Sequence, residues 1–167
     1  MYINFLQYSE ITFGFFIFPR FPCPVLKVQF NPRIENEILV TPMRHAAIVV
    51  TLDLTASTQV TSNNATAKYK LVPLDDENDP QIVATYDTRG KHIYTGNSRG
   101  KILVFSNTKK GDDKHFKIVS QFKVIQSTSQ AVKGIEFSRR GGSFLVNTAD
   151  RVIRVYKTSE VLSSKGY

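Results

Sequence analysis

The 167-residue sequence contains no tryptophan, one cysteine and three histidines. Because Cys23 is alone, the chain cannot form an internal disulfide or a zinc site built on several thiolates. The histidines His45, His92 and His115 are scattered, without the spacing of metal ligands or of a general base. We therefore predict no catalytic residues, no metal, no cofactor and no small-molecule substrate, and a protein that is not an enzyme.

Long apolar runs are also absent. The most apolar stretch, residues 13–18, has six residues, whereas a membrane span needs about 20. Residues 1–12 contain no lysine or arginine, so they lack the basic start of a secretory signal. We expect no membrane contact and no secretion, and the single thiol favours a reducing compartment, the cytoplasm or the nucleus.

Acidic residues are fewer than basic ones. The 14 Asp and Glu residues stand against 22 Lys and Arg, which gives a net charge of +8 and a pI near 9.6. Such an excess favours an anionic partner, most commonly nucleic acid, because neutralised phosphates release condensed counterions. A basic surface that serves solubility alone is the alternative, and charge by itself does not decide between them.

The feature that is present is an internal repeat. The segment 86–105 returns 51 residues later, without a gap, as the segment 137–156, so that Gly90 matches Gly141. A looser copy runs through residues 28–52 and has Phe30 at the position of Tyr86. A fixed period is the sequence signature of a repeat architecture. We therefore divide most of the chain into three units.

Each unit is predicted to form short strands joined by tight turns. Residues 132–137, 144–146 and 152–156 have strand-like apolar patterns, with glycines between the first two. Residues 66–73 and 114–124 can each supply a fourth, outer strand. No window of a dozen residues keeps a helical apolar period. Four-stranded units that recur about every 50 residues are typical of a β-propeller, although WD40 repeats usually have ~40–45 residues and the Trp-Asp dipeptide is missing here.

The predicted fold class is all-β: a WD40-type β-propeller segment of about three four-stranded blades. Closed rings contain roughly four to eight blades, so three units form an incomplete ring. Sheet faces and edges at the ends of such a segment would lie uncovered. We expect either an excerpt of a longer protein or a chain that assembles with other copies.

Several stretches resemble the retinoblastoma-binding protein 5 family, WD40-propeller subunits of COMPASS/MLL-type histone methyltransferase complexes. They are residues 20–33 (Arg-Phe-Pro-Cys-Pro-Val-Leu-Lys-Val-Gln-Phe-Asn-Pro-Arg), 39–43, 94–104 and 147–156. The resemblance covers about residues 20–161 and follows the order of the three units. It therefore indicates a partial fragment of that family.

The domain organisation follows from the repeat and the resemblance. Residues 1–19 are an unassigned leader, residues 20–161 are the propeller segment, and residues 162–167 are a truncated tail. The blades are predicted at about 20–74, 75–118 and 119–161. Residues 55–68 look like an insertion relative to the family.

The resemblance also implies a function. It indicates a non-catalytic scaffold subunit, in fragment form, of a nuclear complex that methylates histone H3 at lysine 4 and thereby regulates transcription. The expected partners are the other subunits of that complex, nucleosomal DNA and histones. A generic WD40 peptide-binding adaptor unrelated to chromatin is the alternative. An enzyme that uses a propeller channel would need acidic or histidine residues at equivalent positions of several blades, and the sequence shows none.

Basic residues cluster in the predicted turns, and turns of neighbouring blades lie side by side along one rim. Phosphate binding needs such an array of cations rather than a single contact. In the resemblance, Arg151 matches a family arginine on the face towards the nucleosome. The candidate nucleosome-facing residues are Arg151, Arg99, Arg154, Arg139 and Arg140. Solvated turn charge is the competing interpretation for them.

Two other motifs are weaker. Residues 75–79 (Asp-Asp-Glu-Asn-Asp) lack the glycine and the distant glutamate of an EF-hand loop, so we predict a solvated acidic loop. Residues 96–101 resemble a phosphate loop, but Ile102 stands where Ser or Thr would bind magnesium, so we predict a hairpin turn. Asp87 and Asp150 lie in predicted turns, where aspartate stabilises the local backbone.

Overall fold

The computed structural model describes residues 21, 23–52, 68–110, 113–126 and 128–164. Within these ranges the chain forms eleven β-strands and one short α-helix. The strands are β1 (Val25–Phe30), β2 (Glu37–Pro42), β3 (Ile48–Thr51), β4 (Lys68–Leu71), β5 (Val83–Tyr86), β6 (His92–Gly96), β7 (Lys101–Lys110), β8 (Asp113–Lys123), β9 (Val132–Phe137), β10 (Ser143–Thr148) and β11 (Ile153–Lys157), and the helix is α1 (Thr158–Ser163).

The strands form three antiparallel sheets in chain order. Sheet one contains β1–β4, sheet two contains β5–β8 and sheet three contains β9–β11. Sheet two packs between the other two. This architecture confirms the predicted all-β propeller segment of three units in an incomplete ring. Sheet three differs from its predecessors because its described part has three strands rather than four. After β11 the chain instead forms α1, which buries Val161 against β8 and β11.

The 51-residue repeat is retained in the backbone. Gly90 and Gly141 lie in the turns between the first and second strands of sheets two and three, with φ of +65° and +70°. Side chains other than glycine rarely adopt this left-handed conformation. A Cβ at Gly90 would also collide with the Asn31 side chain, and one at Gly141 would collide with Thr88. Glycine is therefore required at both turns, for conformation and for the close approach of neighbouring sheets.

Two predicted boundaries shift. Strand β7 ends at Lys110 and β8 begins at Asp113, and β8 pairs with β7 as far as Lys123 opposite Lys101. The expected blade boundary at residues 118 and 119 lies inside β8, whereas the outer strand predicted at residues 114–124 coincides with β8. The expected end of the third blade at residue 161 falls inside α1. The predicted leader, residues 55–67 of the insertion and residues 165–167 of the tail lie outside the described residues.

The contact between sheets one and two, here the first junction, combines an apolar layer with a buried carboxylate. Leu39 of sheet one and Tyr86 of sheet two belong to the same buried cluster. Beside them Glu37 is fully buried, and its Oε1 accepts hydrogen bonds from Asn31 (2.9 Å), the Tyr86 hydroxyl (2.8 Å) and Asn107 (2.9 Å). Burial raises the pKa of the Tyr86 phenol, so the hydroxyl keeps its proton for Glu37. These donors offset part of the cost of burying the polar side chain of Glu37.

The contact between sheets two and three, the second junction, is aromatic. The Tyr94 ring lies 4.9 Å from Phe137 and 5.1 Å from Phe144, and Phe144 stacks on Tyr156 at 5.4 Å. Such pairs contribute about 0.5–1.5 kcal/mol each beyond their buried area. The buried Tyr94 hydroxyl has no hydrogen-bond partner among the described residues. Burial raises its pKa, as does the nearby Asp87. The second junction therefore relies on ring packing.

Candidate nucleic-acid interface

The turns of the three sheets alternate between two rims. The β1–β2, β5–β6 and β9–β10 turns form the first-turn rim. Asn31 donates a hydrogen bond to the Gly90 carbonyl (3.3 Å), and the Gly141 backbone lies against Thr88. These contacts join the three turns in series.

The β2–β3, β6–β7 and β10–β11 turns form the second-turn rim, at the opposite ends of the strands. The chain before β5 reaches the β2–β3 turn through Gln81, which accepts a hydrogen bond from Ala47 (3.2 Å). The start of β9 reaches the β6–β7 turn because Val132 N–H donates to the Asn97 carbonyl (3.0 Å). The predicted site residues divide between the rims. Arg99, Arg151 and Arg154 lie at the second-turn rim, and Arg139 and Arg140 lie at the first.

The second-turn rim has a shared backbone feature. Each of its turns contains one residue in the left-handed region, namely Arg44 (φ +58°), Gly100 (φ +79°) and Arg151 (φ +66°). Glycine, as at Gly100, adopts this conformation without steric cost. For an arginine it costs roughly 1–2 kcal/mol. Two of the three turns therefore carry arginine at a position where glycine would fold more easily.

Arg99 is paired with the acidic loop that precedes β5. Its guanidinium donates to Asp76 (3.0 Å) and lies 3.7 Å from Asp79, whose side chain is buried. Lys101 pairs with Asp75 (2.6 Å). The loop at residues 75–79, predicted to be solvated, instead neutralises two cations of the second-turn rim. Sequence spacing gave no signal for this pairing because the partners lie 20 or more residues apart.

Arg154 is engaged in its own turn. Its guanidinium donates to both carboxylate oxygens of Asp150 (2.6 and 3.2 Å) and to the Thr148 hydroxyl (2.8 Å). The pKa of Asp150 lies well below its usual value, mainly because Arg154 donates a hydrogen bond to this carboxylate. Asp150 also accepts the Val152 N–H, as expected of an aspartate that stabilises a turn. Arg154 therefore supports the turn that presents Arg151.

Six exposed arginines remain without an ion pair among the described residues. Arg44 and Arg151 lie at the second-turn rim, and Arg33, Arg89, Arg139 and Arg140 lie at the first. The sequence analysis overlooked Arg44 because the first unit aligns with the others only with a gap. The signal that identifies it is its left-handed φ, which it shares with Arg151.

A shallow groove of about 550 Å³ opens beside the acidic loop. Asp79, Arg99, Lys101, Phe122 and Lys123 line parts of it, so its wall carries both signs of charge. Among the described residues no cluster of three His, Cys, Asp or Glu side chains is arranged to hold a metal ion. Within the same ranges, α1 is far too short to cross a membrane.

The carboxylate–imidazole pair Asp87–His92 is structural. Asp87 contacts His92 Nδ1 (2.9 Å) and accepts the backbone N–H groups of Lys91 (2.8 Å) and His92 (3.3 Å). Burial alone would raise the pKa of Asp87, but the hydrogen bonds from His92 and Lys91 lower it overall. The hydrogen bonds that the structure shows for the Asp87 carboxylate all go to Lys91 and His92, at the end of its own turn. Asp87 therefore stabilises that turn, as predicted.

Comparison with known proteins is consistent with this architecture. The β-propeller domain of Cps50 (Swd1) from Myceliophteria thermophila superposes with a TM-score of 0.67 at 16% identity, covering 87% of this chain and 42% of that one. The WD40 repeats of RRP9 superpose with a TM-score of 0.60 at 13% identity, covering 85% and 38%. No protein-family model matches the chain. By fold, the chain is a segment of a WD40 β-propeller.

Sequence comparison gives the family. Retinoblastoma-binding protein 5 homolog of Drosophila melanogaster is 49% identical over 146 residues, which are 86% of this chain and 26% of the relative. Retinoblastoma-binding protein homolog 5 of Caenorhabditis elegans is 26% identical over 151 residues, covering 88% and 29%. The chain belongs to the retinoblastoma-binding protein 5 family, as the resemblance indicated. It spans about a quarter of the length of these relatives.

Proposed function

We propose that this chain is a non-catalytic scaffold in a nuclear histone H3 lysine 4 methyltransferase complex, and that its second-turn rim contacts nucleosomal DNA. The family membership supports the scaffold role, because a propeller whose described residues form no arranged active site offers surfaces rather than chemistry. The other complex subunits and the histones would bind the remaining surfaces. The net charge of +8 supports an anionic partner.

The observation that carries the DNA contact is the pair Arg44 and Arg151. Both are exposed, both lack an ion pair among the described residues, and both occupy a left-handed position that glycine fills in the turn between them. Strained backbone that local folding does not need is commonly retained for function. Arginine is suited to phosphate because its planar guanidinium donates two parallel hydrogen bonds. Two arginines on one rim, in sheets separated by sheet two, can each contact a phosphate of the same duplex, several nucleotides apart.

The test removes these charges without disturbing the turns. Arg44→Gly with Arg151→Gly adopts the residue already present at Gly100, so the fold should be retained and its melting temperature should stay the same or rise. Nucleosome affinity of the assembled complex is measured across salt concentrations. Each lost phosphate contact lowers the slope of log affinity against log salt by about 0.9, so we expect the slope to fall by about 2.

The matched control removes two charges from the opposite rim. Arg139→Gln with Arg140→Gln changes the net charge by the same amount, and both side chains are exposed. If the first-turn rim faces away from DNA, this variant keeps the salt slope of the original chain. Equal effects of the two double variants would show that only overall charge matters. An unchanged slope in the glycine variant would refute the DNA contact.

A peptide-binding adaptor outside chromatin is the second candidate, and the groove beside the acidic loop favours it. Its wall offers the Phe122 ring, the buried Asp79 carboxylate and two lysines, a combination suited to a peptide with charged side chains. This function predicts that the glycine variant leaves nucleosome binding unchanged, whereas Phe122→Ala weakens a peptide selected on the isolated chain.

A further inference from the structure

The first-turn rim carries cations that no ion pair within the described chain neutralises. Glu35 is the one exposed acidic residue in its three turns, because Asp87 is buried and accepts hydrogen bonds from its own turn. The basic residues of these turns are all exposed, and none of them forms an ion pair among the described residues. They are here called the basic row and are Arg33, Arg89, Lys91, Arg139 and Arg140.

A shared asparagine links the first two turns of the basic row. The side-chain oxygen of Asn31 accepts the backbone N–H of Arg33 (2.9 Å), and its side-chain nitrogen donates to the carbonyl of Gly90 (3.3 Å). Arg89 directly precedes that glycine in the chain. Arg33 and Arg89 therefore lie on adjoining turns that a hydrogen bond holds together.

The second and third turns of the basic row touch directly. A Cβ at Gly141 would collide with the Thr88 hydroxyl, so the two backbones approach closely. Arg89 follows Thr88, and Arg140 precedes Gly141. Sheet two has a neighbour on each side, so Arg89 is exposed with both flanking turns in place. The basic row is therefore continuous across the three sheets.

A DNA duplex on the second-turn rim leaves the basic row unused. The two rims lie at opposite ends of the strands, and the five residues of β6 span about 16 Å. The Debye length at physiological ionic strength is about 8 Å, so salt screens most of the attraction between the basic row and such a duplex. Like charges held side by side also repel one another. The basic row therefore suits a separate anionic partner.

We propose that the basic row binds an acidic segment of a partner protein, which offers several Asp or Glu side chains to the three turns. The row contains four arginines and one lysine, and protein interfaces are enriched in arginine and depleted of lysine. The guanidinium group binds a carboxylate through two parallel hydrogen bonds. Exposed Pro32, beside Arg33, adds an apolar surface that a peptide can cover.

The probe is a labelled peptide of six consecutive glutamates, and the matched neutral peptide has six glutamines. Six extended residues span about 20 Å, which is roughly the distance across three sheets packed about 10 Å apart. Binding to the intact 167-residue chain is measured by fluorescence anisotropy in about 50 mM salt, where screening is weak. We expect the glutamate peptide to bind and the glutamine peptide not to bind.

Arg89→Gln with Arg140→Gln removes one cation from each of two touching turns. Both side chains are exposed, so the urea unfolding curve should not change. The affinity for the glutamate peptide should fall by about three- to tenfold, since each exposed ion pair contributes modestly. The matched control is Arg44→Gly with Arg151→Gly, which loses the same charge at the opposite rim and should keep the peptide affinity of the original chain.

Three outcomes would overturn the proposal. Equal weakening by the two double variants would show that the peptide responds to net charge alone. An original chain that does not bind the glutamate peptide below about 1 mM would show that the basic row is only solvated charge. A fall in the salt slope of nucleosome binding with Arg89→Gln and Arg140→Gln would assign the row to nucleic acid. The peptide measurement contains no nucleosome, so it can fail while the DNA contact of the second-turn rim holds, and the reverse.

Discussion

The first and second junctions occupy the same register and use different chemistry. Between sheets one and two, the hydroxyl of Tyr86 reaches the buried carboxylate of Glu37. Between sheets two and three, the equivalent residue is Phe137, and it packs on the edge of Tyr94 instead. The repeat therefore preserves where neighbouring sheets touch but not how. A polar junction with matched donors is specific, whereas an aromatic junction tolerates variation in its partner.

The largest expected effect on the free energy of unfolding comes from truncating a covered position, and the comparison is the same truncation at its uncovered equivalent. Tyr94→Ala removes a fully buried ring from the second junction and should lower the free energy of unfolding by about 3–5 kcal/mol. Leu145→Ala, at the same register in sheet three, should cost about 1 kcal/mol or less. Both are measured by urea unfolding. Similar losses would show that Leu145 is already core.

The next prediction compares the two junctions by removing one tyrosine hydroxyl group from each. Tyr86→Phe leaves a buried acceptor of Glu37 short of one donor, which should cost about 1–3 kcal/mol. Tyr94→Phe should be neutral or slightly stabilising, because the Tyr94 hydroxyl is buried without a hydrogen-bond partner among the described residues. Thermal and urea unfolding of the two variants check this. The contrast fails if Tyr94→Phe is the more damaging change.

The smallest effect compares the first turns of sheets two and three by their pH dependence. Asp87 holds the turn of sheet two, and the equivalent residue of sheet three is Ser138, whose hydroxyl accepts the Ser143 N–H (3.2 Å). Because the folded pKa of Asp87 is lowered, its contribution is full above the unfolded pKa of about 3.9 and is lost as pH falls through the folded value.

Asp87→Ser should therefore reduce stability at pH 7 by on the order of 1 kcal/mol, the usual net contribution of the hydrogen bonds it removes, with a smaller difference from the original chain below pH 4. Unfolding curves at pH 7 and pH 3 provide the measurement. His92→Gln tests the partner of the carboxylate in the same way. A deficit that is equally large at both pH values would assign the role of Asp87 to packing rather than to charge.

Much of the fold is predictable from local pattern. The 51-residue period places Gly90 and Gly141 in equivalent turns, and the strand-sized apolar runs place the strands, because both depend on neighbours close in sequence. The assignment of the whole of β8 to sheet two and the helix α1 were not predicted. They depend on pairing along β7 and on burial of Val161 between β8 and β11, which involve residues distant in the chain.

The candidate site was predictable only in outline. Basic turns are visible in the sequence, but it does not show that Arg99 pairs with Asp76 while Arg151 stays unpaired. It also gives no indication that Arg44 adopts the same left-handed conformation as Arg151. The placement of these arginines relative to DNA stays a prediction, now with Arg44 added and with Arg139 and Arg140 on the opposite rim.

The sequence by itself determined the repeat and the strand pattern, because periodicity and turn chemistry are local properties that each unit carries independently. It also indicated the family, through the resemblance of particular stretches. Only the tertiary structure decided which surfaces are covered. Tyr94 and Leu145 occupy the same place in their sheets, yet one is core and the other is exposed. The physical reason is that a propeller sheet buries its faces against other sheets, so burial depends on the neighbour rather than on the residue.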